Sequence, residues 1–202
     1  MNANVDLHQL WGRWPLLDRA MEFSASYVIV LGAAVFMLLW FRRDGLRAGL
    51  AGGIGGLVAV GIAFEIGAVW DRTRPFVAEH WVPLISHGRD ASFPSDHLAA
   101  LGALTVGAWM GWRALGGVVG LIALVVAVAR VYVGVHWPSD VIGGFVIGGL
   151  AALVLWYALA AAARPINRID ELLQRHRLRP RFDGGGSAIG APGARTALSR
   201  ED

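Results

Sequence analysis

An all-α polytopic membrane bundle, with about five transmembrane helices and an N-terminal interfacial amphipathic helix, is the fold class the sequence predicts, and three observations predict it. The 202 residues are 55% hydrophobic and only 16% charged, with a mean hydropathy of +0.52, too apolar for an ordinary soluble domain. The charges gather between long apolar stretches. Each stretch approaches the roughly 20 residues that carry a helix across about 30 Å of hydrocarbon.

Residues 1–22 mix acids and bases and lack a basic segment followed by an apolar run and cleavage site, so they are expected to be mature sequence rather than a secretory signal. Leu7, Leu10, Trp11, Trp14, Leu17 and Met21 recur at helical spacing while Asp6, Arg13 and Asp18 fall elsewhere, the pattern of a helix lying in the interface. Five spans are expected at about 23–41, 48–70, 95–112, 114–133 and 139–160. Gly52, Gly53, Gly55 and Gly56, and later Gly143, Gly144, Gly148 and Gly149, predict close helix approach.

All 18 basic residues are arginine and cysteine is absent, which removes disulfides and thiolate metal sites. The missing lysine fits the base-composition bias of a GC-rich bacterial genome. The pI near 10.1 does not call for nucleic acid, because the arginines sit at the ends of apolar spans rather than on a soluble basic face. Arg42, Arg43, Arg47, Arg113, Arg164, Arg168, Arg175, Arg177, Arg179 and Arg181 mark cytoplasmic segments by the positive-inside rule. The loop at 71–94 and the turn at 134–138 then face outside. A membrane-embedded domain over 1–165 is expected, followed by a basic cytoplasmic tail over 166–202, disordered from about Asp183.

The two external connections hold the polar segments Asp71-Arg-Thr-Arg-Pro-Phe76, Ser92-Phe-Pro-Ser-Asp-His97 and Arg130-Val-Tyr-Val-Gly-Val-His-Trp-Pro-Ser-Asp140. Whole spans separate them in sequence, yet all fall at one membrane face. Pro94 can start a helix whose first-turn amides, at Ser95, Asp96 and His97, attract an anion. Arg74 and Arg130 supply planar forks that match phosphate oxygens. Asp140, one turn beyond His136, can accept a hydrogen bond from one imidazole nitrogen and leave the other to attack phosphorus. His97 would protonate the departing oxygen and later activate water. Such a site requires neither metal nor cofactor.

These segments resemble the three motifs of the type-2 phosphatidic acid phosphatase superfamily: Arg-Pro at 74–75, Pro-Ser-Asp-His at 94–97 and Arg-x5-His-x3-Asp at 130–140. The wording of 74–76, 92–97 and 133–140 is most similar to the bacitracin-resistance branch, the undecaprenyl-diphosphate phosphatases. The resemblance implies a phosphohistidine on His136, an acid at His97, and phosphate binding by Arg74, Ser95 and Arg130. It puts a lysine seven residues before Arg74, where this chain has Gly67, with Arg72 the nearest replacement. It puts glycine where this chain has Asp96, which adds local negative charge and is a further candidate for substrate contact.

Glu65 near the outer end of the second span either neutralises Arg72 or touches the substrate. His80, His87 and Asp90 lack metal-ligand spacing and suit loop or headgroup contacts. The expected activity is an integral-membrane lipid phosphatase of the bacterial inner membrane with an extracytoplasmic site, acting on undecaprenyl diphosphate. The rivals are a phosphatidic acid or phosphatidylglycerophosphate phosphatase, and a non-catalytic lipid-phosphate binder. The oligomeric state is not legible in the sequence.

Overall fold

Proline opens three of the helices that surround the polar end of the molecule, because its fixed φ suits a first helical turn and its missing N–H costs nothing there. The computed structural model describes residues 3–42 and 45–161, with Ile169, Leu172 and Leu173. The described residues are all-helical: α1 (Ala3–His8), α2 (Pro15–Phe36) with a 3-10 turn (Met37–Phe41), α3 (Gly45–Trp70), α4 (Pro75–Ala78), α5 (Asp96–Gly111), α6 (Arg113–Tyr132) and α7 (Pro138–Ala161). Arg43, the tail arginines from Arg164 to Arg181 and the stretch from Asp183 lie outside the described residues.

Among the described residues, four segments are long and apolar enough to cross a membrane: Pro15–Phe41, Gly45–Ala78, Arg113–Tyr132 and Pro138–Ala161. The remaining expected span, the third, is α5, which has only 16 residues, about 24 Å of helix against about 30 Å of hydrocarbon. Its surroundings explain the shortness. It packs against α3, α6, α7 and α2, so protein rather than lipid sheathes it. Leu57, Val69, Leu121, Ile142 and Val154 instead point outward, an apolar exterior that water would penalise and acyl chains accept.

Small residues bring the backbones together. A Cβ on Gly144 would stand 2.3 Å from the Ser95 carbonyl oxygen, and one on Gly148 would stand 1.9 Å from that of Ala99. The constant offset makes α5 and α7 parallel, so both begin at the same end of the bundle. On α3, Gly55 meets the backbone of Ala152, whereas Gly53 faces open space and does not share the packing role expected of it.

The N-terminal apolar stripe is divided between two helices. A turn with Gly12 at φ +76° separates α1 from α2, so the first membrane helix starts at Pro15 rather than near residue 23. Leu7, Leu10, Trp11, Leu17 and Met21 pack on a cluster of Ala25, Phe76, Ala129, Tyr132, Val133 and Val135. Asp18, read from sequence as part of the polar face, is buried. It accepts the Tyr132 hydroxyl proton at 2.7 Å and the Gly12 amide at 2.9 Å, which ties the start of α2 to the end of α6.

Candidate active site

The end of α3, the starts of α5 and α7, and the end of α6 meet at one end of the bundle, and every polar segment singled out above is there. Arg42 and Arg47 lie at the other end, stacked on Trp112 and Trp156. Arg74, Ser92, Ser95, Arg130, His136 and Asp140 are all buried. Burial of that many polar groups costs several kcal/mol unless each has a partner, so the partners are informative.

His136 sits in the turn between α6 and α7. Its Nδ1 lies 2.9 Å from the Ser92 carbonyl oxygen, which requires the proton on Nδ1 and leaves the lone pair on Nε2. Arg130 Nη2 at 3.1 Å and Arg74 Nη1 at 3.4 Å both face that Nε2. Burial lowers the His136 pKa to about 4; Asp140 opposes the shift and the Arg130 and Arg74 guanidiniums add to it. The ring is therefore neutral and nucleophilic at ordinary pH.

Asp140 does not make the direct hydrogen bond to His136 expected from the four-residue spacing. Its Oδ2 is 3.7 Å from Nδ1, too far for one. Ser92 stands between them: its carbonyl takes the imidazole proton while its hydroxyl donates to Asp140 Oδ2. Asp140 also accepts the Trp137 amide at 2.8 Å and an Arg72 Nη1 proton at 2.7 Å. Arg72 is thus held on Asp140 and Ser139. Its fork orients the carboxylate behind the nucleophile instead of standing free for a phosphate.

At α5, two of the three amides read as an anion cradle already have partners. The Ser95 amide donates to the Asp140 carbonyl at 3.0 Å, and the His97 amide donates to Asp96 Oδ1 at 2.8 Å. Asp96 Oδ1 also lies 2.9 Å from His97 Nδ1. His97 is therefore oriented by its neighbour at the edge of the site, not joined to the His136 cluster. What remains for an anion is different. Among the described residues, the Ser95 hydroxyl and Arg130 Nε are buried without a hydrogen-bond partner, an arrangement that a tetrahedral oxyanion would complete.

Glu65 is exposed on α3, and the ion pair of Arg72 is with Asp140, so Glu65 does not neutralise it. His80 is exposed in the loop with φ +60°. Three residues join the site that were not among its expected catalytic groups or phosphate ligands. Ser92 lies inside a quoted segment but carries no independent signal, since its decisive atom is a backbone oxygen. His87 reaches in from the loop, with Nε2 3.1 Å from Arg130 Nη2 and its ring centroid 6.2 Å from that of His136. Asp90 Oδ1 accepts from Arg74 Nε at 3.2 Å.

A neutral, fixed imidazole flanked by two permanent cations, with unpartnered donors beside it, is suited to in-line attack on a phosphoryl group. Comparisons with known proteins agree. Residues 45–164 match the PAP2 superfamily. The undecaprenyl-diphosphatase BcrC of Bacillus subtilis is 33% identical over 165 residues, covering 79% of this chain and 83% of that one. An undecaprenyl-diphosphatase of Sulfolobus acidocaldarius is 30% identical over 183 residues, covering 85% and 84%. The crystal structure of a transmembrane PAP2-type phosphatidylglycerolphosphate phosphatase from Bacillus subtilis superposes with a TM-score of 0.53 at 25% identity, over 76% of this chain and 82% of that one.

Proposed function

Because the chain belongs to the PAP2 superfamily of membrane phosphatases, we propose that it converts undecaprenyl diphosphate to undecaprenyl phosphate and inorganic phosphate through a phosphohistidine. The observation that carries the reaction is His136 Nε2, neutral and held between Arg74 and Arg130. Nε2 attacks the terminal phosphorus. The bond from that phosphorus to the bridging oxygen breaks, and His97 gives that oxygen a proton. Arg74, Arg130 and the Ser95 hydroxyl bind the equatorial oxygens, where charge collects in the transition state. Water, giving its proton to His97, then cleaves the phosphorus–nitrogen bond and restores His136.

The lipid preference rests on the relatives named above and on the wording of residues 92–97. An apolar groove of about 340 Å³ between α6 and α7 offers the isoprenoid chain a path. It includes Leu98 and Val141, the residues that follow His97 and Asp140. The site faces the extracytoplasmic side of a bacterial inner membrane, because Arg42, Arg47 and Arg113 mark the opposite end as cytoplasmic. Single cysteines at Gly88 and Gly185 should then label from opposite sides of the membrane, and same-side labelling would break the five-span topology.

The deciding experiment is phosphate release by the purified protein from undecaprenyl diphosphate, phosphatidic acid and phosphatidylglycerophosphate, compared as kcat/KM. Undecaprenyl diphosphate should be used best. Preference for either glycerolipid would move the activity toward that of the superposed phosphatase. Tight binding without phosphate release from any of them would leave a lipid-phosphate binder. Activity should survive EDTA, since guanidiniums supply the charge that a metal supplies elsewhere.

A further inference from the structure

His87 belongs to neither the expected phosphate ligands nor the acid–base pair, yet it lies against them. Its Nε2 takes an N–H from Arg130 Nη2 at 3.1 Å, so its proton is on Nδ1, which points at the Gly88 carbonyl 3.3 Å away. Asp90 Oδ1 lies 3.7 Å behind. The same loop packs on the position where the resemblance puts a lysine: a Cβ on Gly67 would meet the Ala91 side chain at 3.3 Å and the Phe93 carbonyl at 3.6 Å. Arg72, the other candidate, is held by Asp140 and Ser139. Gly67, Arg74, His87 and Asp90 line one recess of about 380 Å³.

We propose that His87 is a substrate-phosphate ligand, supplied by the loop in place of that lysine, which takes up one proton from solvent when the anion binds. An arriving phosphate claims the Arg130 donors. His87 Nε2 is then left facing an anion instead of a guanidinium, and protonation turns it from acceptor into donor. Charge explains the choice of residue. Arg74 and Arg130 already set two cations beside His87, offset by the carboxylates of Asp90 and Asp96, and a permanent third cation would unbalance the site whenever it is empty. In the empty site, burial followed by the Arg74 charge lowers the His87 pKa, keeping it neutral. The groups around it are Arg130 from α6, His136 from the following turn, Asp71 past the end of α3, Arg74 ahead of α4, Asp90 on its own loop, Asp96 at the start of α5, and Arg19 and Glu22 of α2, which share a groove with Ser86.

The inference rests on the phosphatase reading, and binding of tungstate, an anion that stays doubly charged across the range, tests it without turnover. In the full-length protein in detergent, tungstate should bind about tenfold tighter near pH 6 than near pH 8. His87→Gln should bind weakly at both. His87→Lys should bind tightly at both and release product slowly, while His136→Gln should keep the parental pH dependence. A His87→Gln protein that keeps that dependence, or a His87→Lys protein that behaves like the glutamine variant, would overturn the proposal. Failure of the parent to hydrolyse any lipid phosphate would instead sink the phosphatase reading.

Discussion

The tripeptide Pro-Ser-Asp occurs twice at this site, at 94–96 and at 138–140, opening two parallel helices that pack backbone to backbone, and the two copies do opposite things. At the start of α5 the serine is buried and the aspartate side chain is 42% exposed. At the start of α7 the serine is exposed and the aspartate is fully buried. The cause is a shift of two residues in helix register. Ser95 is the N-cap of α5, so Asp96 is its first helical residue and reaches the amide of His97. Pro138 is the first residue of α7, so Asp140 is the third and reaches back to the amide of Trp137. One carboxylate therefore orients the histidine that follows it. The other, through Ser92, supports the histidine that precedes it.

The comparison assigns the two histidines different duties, and the variants rank accordingly. His136→Ala should lose phosphate release by at least about a thousandfold, since no other group can form the covalent intermediate. Normal insertion with substantial activity would show that the buried histidine is not the nucleophile. Asp140→Asn comes next, at about a hundredfold, because the buried carboxylate anchors Ser92, Trp137 and Arg72 at once. Asp96→Asn should cost only about tenfold, its partner His97 being partly exposed and paired in a wet setting. If the two asparagine variants were equally damaged in kcat, the asymmetry drawn here would be wrong.

A pH profile sharpens the same contrast. The reactive form of His136 is neutral, and its pKa is lowered to about 4, so the reactive form is present throughout the ordinary range and is lost only as pH falls through that value. On the acid side, kcat/KM should hold well below the usual histidine pKa near 6.5. A limb near 6.5 that vanished in a His136 variant bearing an alternative nucleophile would place the ring in a wetter setting. The smallest effect is expected for Arg72→Ala. Held on Asp140, Arg72 should lower kcat about fivefold for monophosphate and diphosphate lipids alike. A loss confined to diphosphates would return it to direct phosphate contact.

Much of the site was legible in the sequence because its residues are of types that a bilayer tolerates only for a reason. Arg74, His97, Arg130, His136 and Asp140 announced themselves as polar groups at the ends of apolar spans, at spacings that match helix turns. Periodicity also gave α3, α6 and α7 nearly as they are, since lipid demands about 20 apolar residues from any helix it surrounds. The same pattern placed α5 at 95–112, within a residue of Asp96–Gly111 at each end; what was not legible is that other helices rather than lipid sheathe it.

What the sequence by itself determined is the chemistry available and its gathering at one end of the helices. Tertiary structure alone decided which nitrogen of His136 carries the proton, because that depends on a backbone oxygen of Ser92, 44 residues away, and a carbonyl has no sequence signature. It likewise decided that Arg72 serves Asp140, that Asp18 is buried against Tyr132, and that His87 leans on Arg130. Each of these joins groups far apart in the chain through contacts a few ångströms long. Such contacts depend on how helices cross and how a loop folds back, and neither is written in the local pattern of residues.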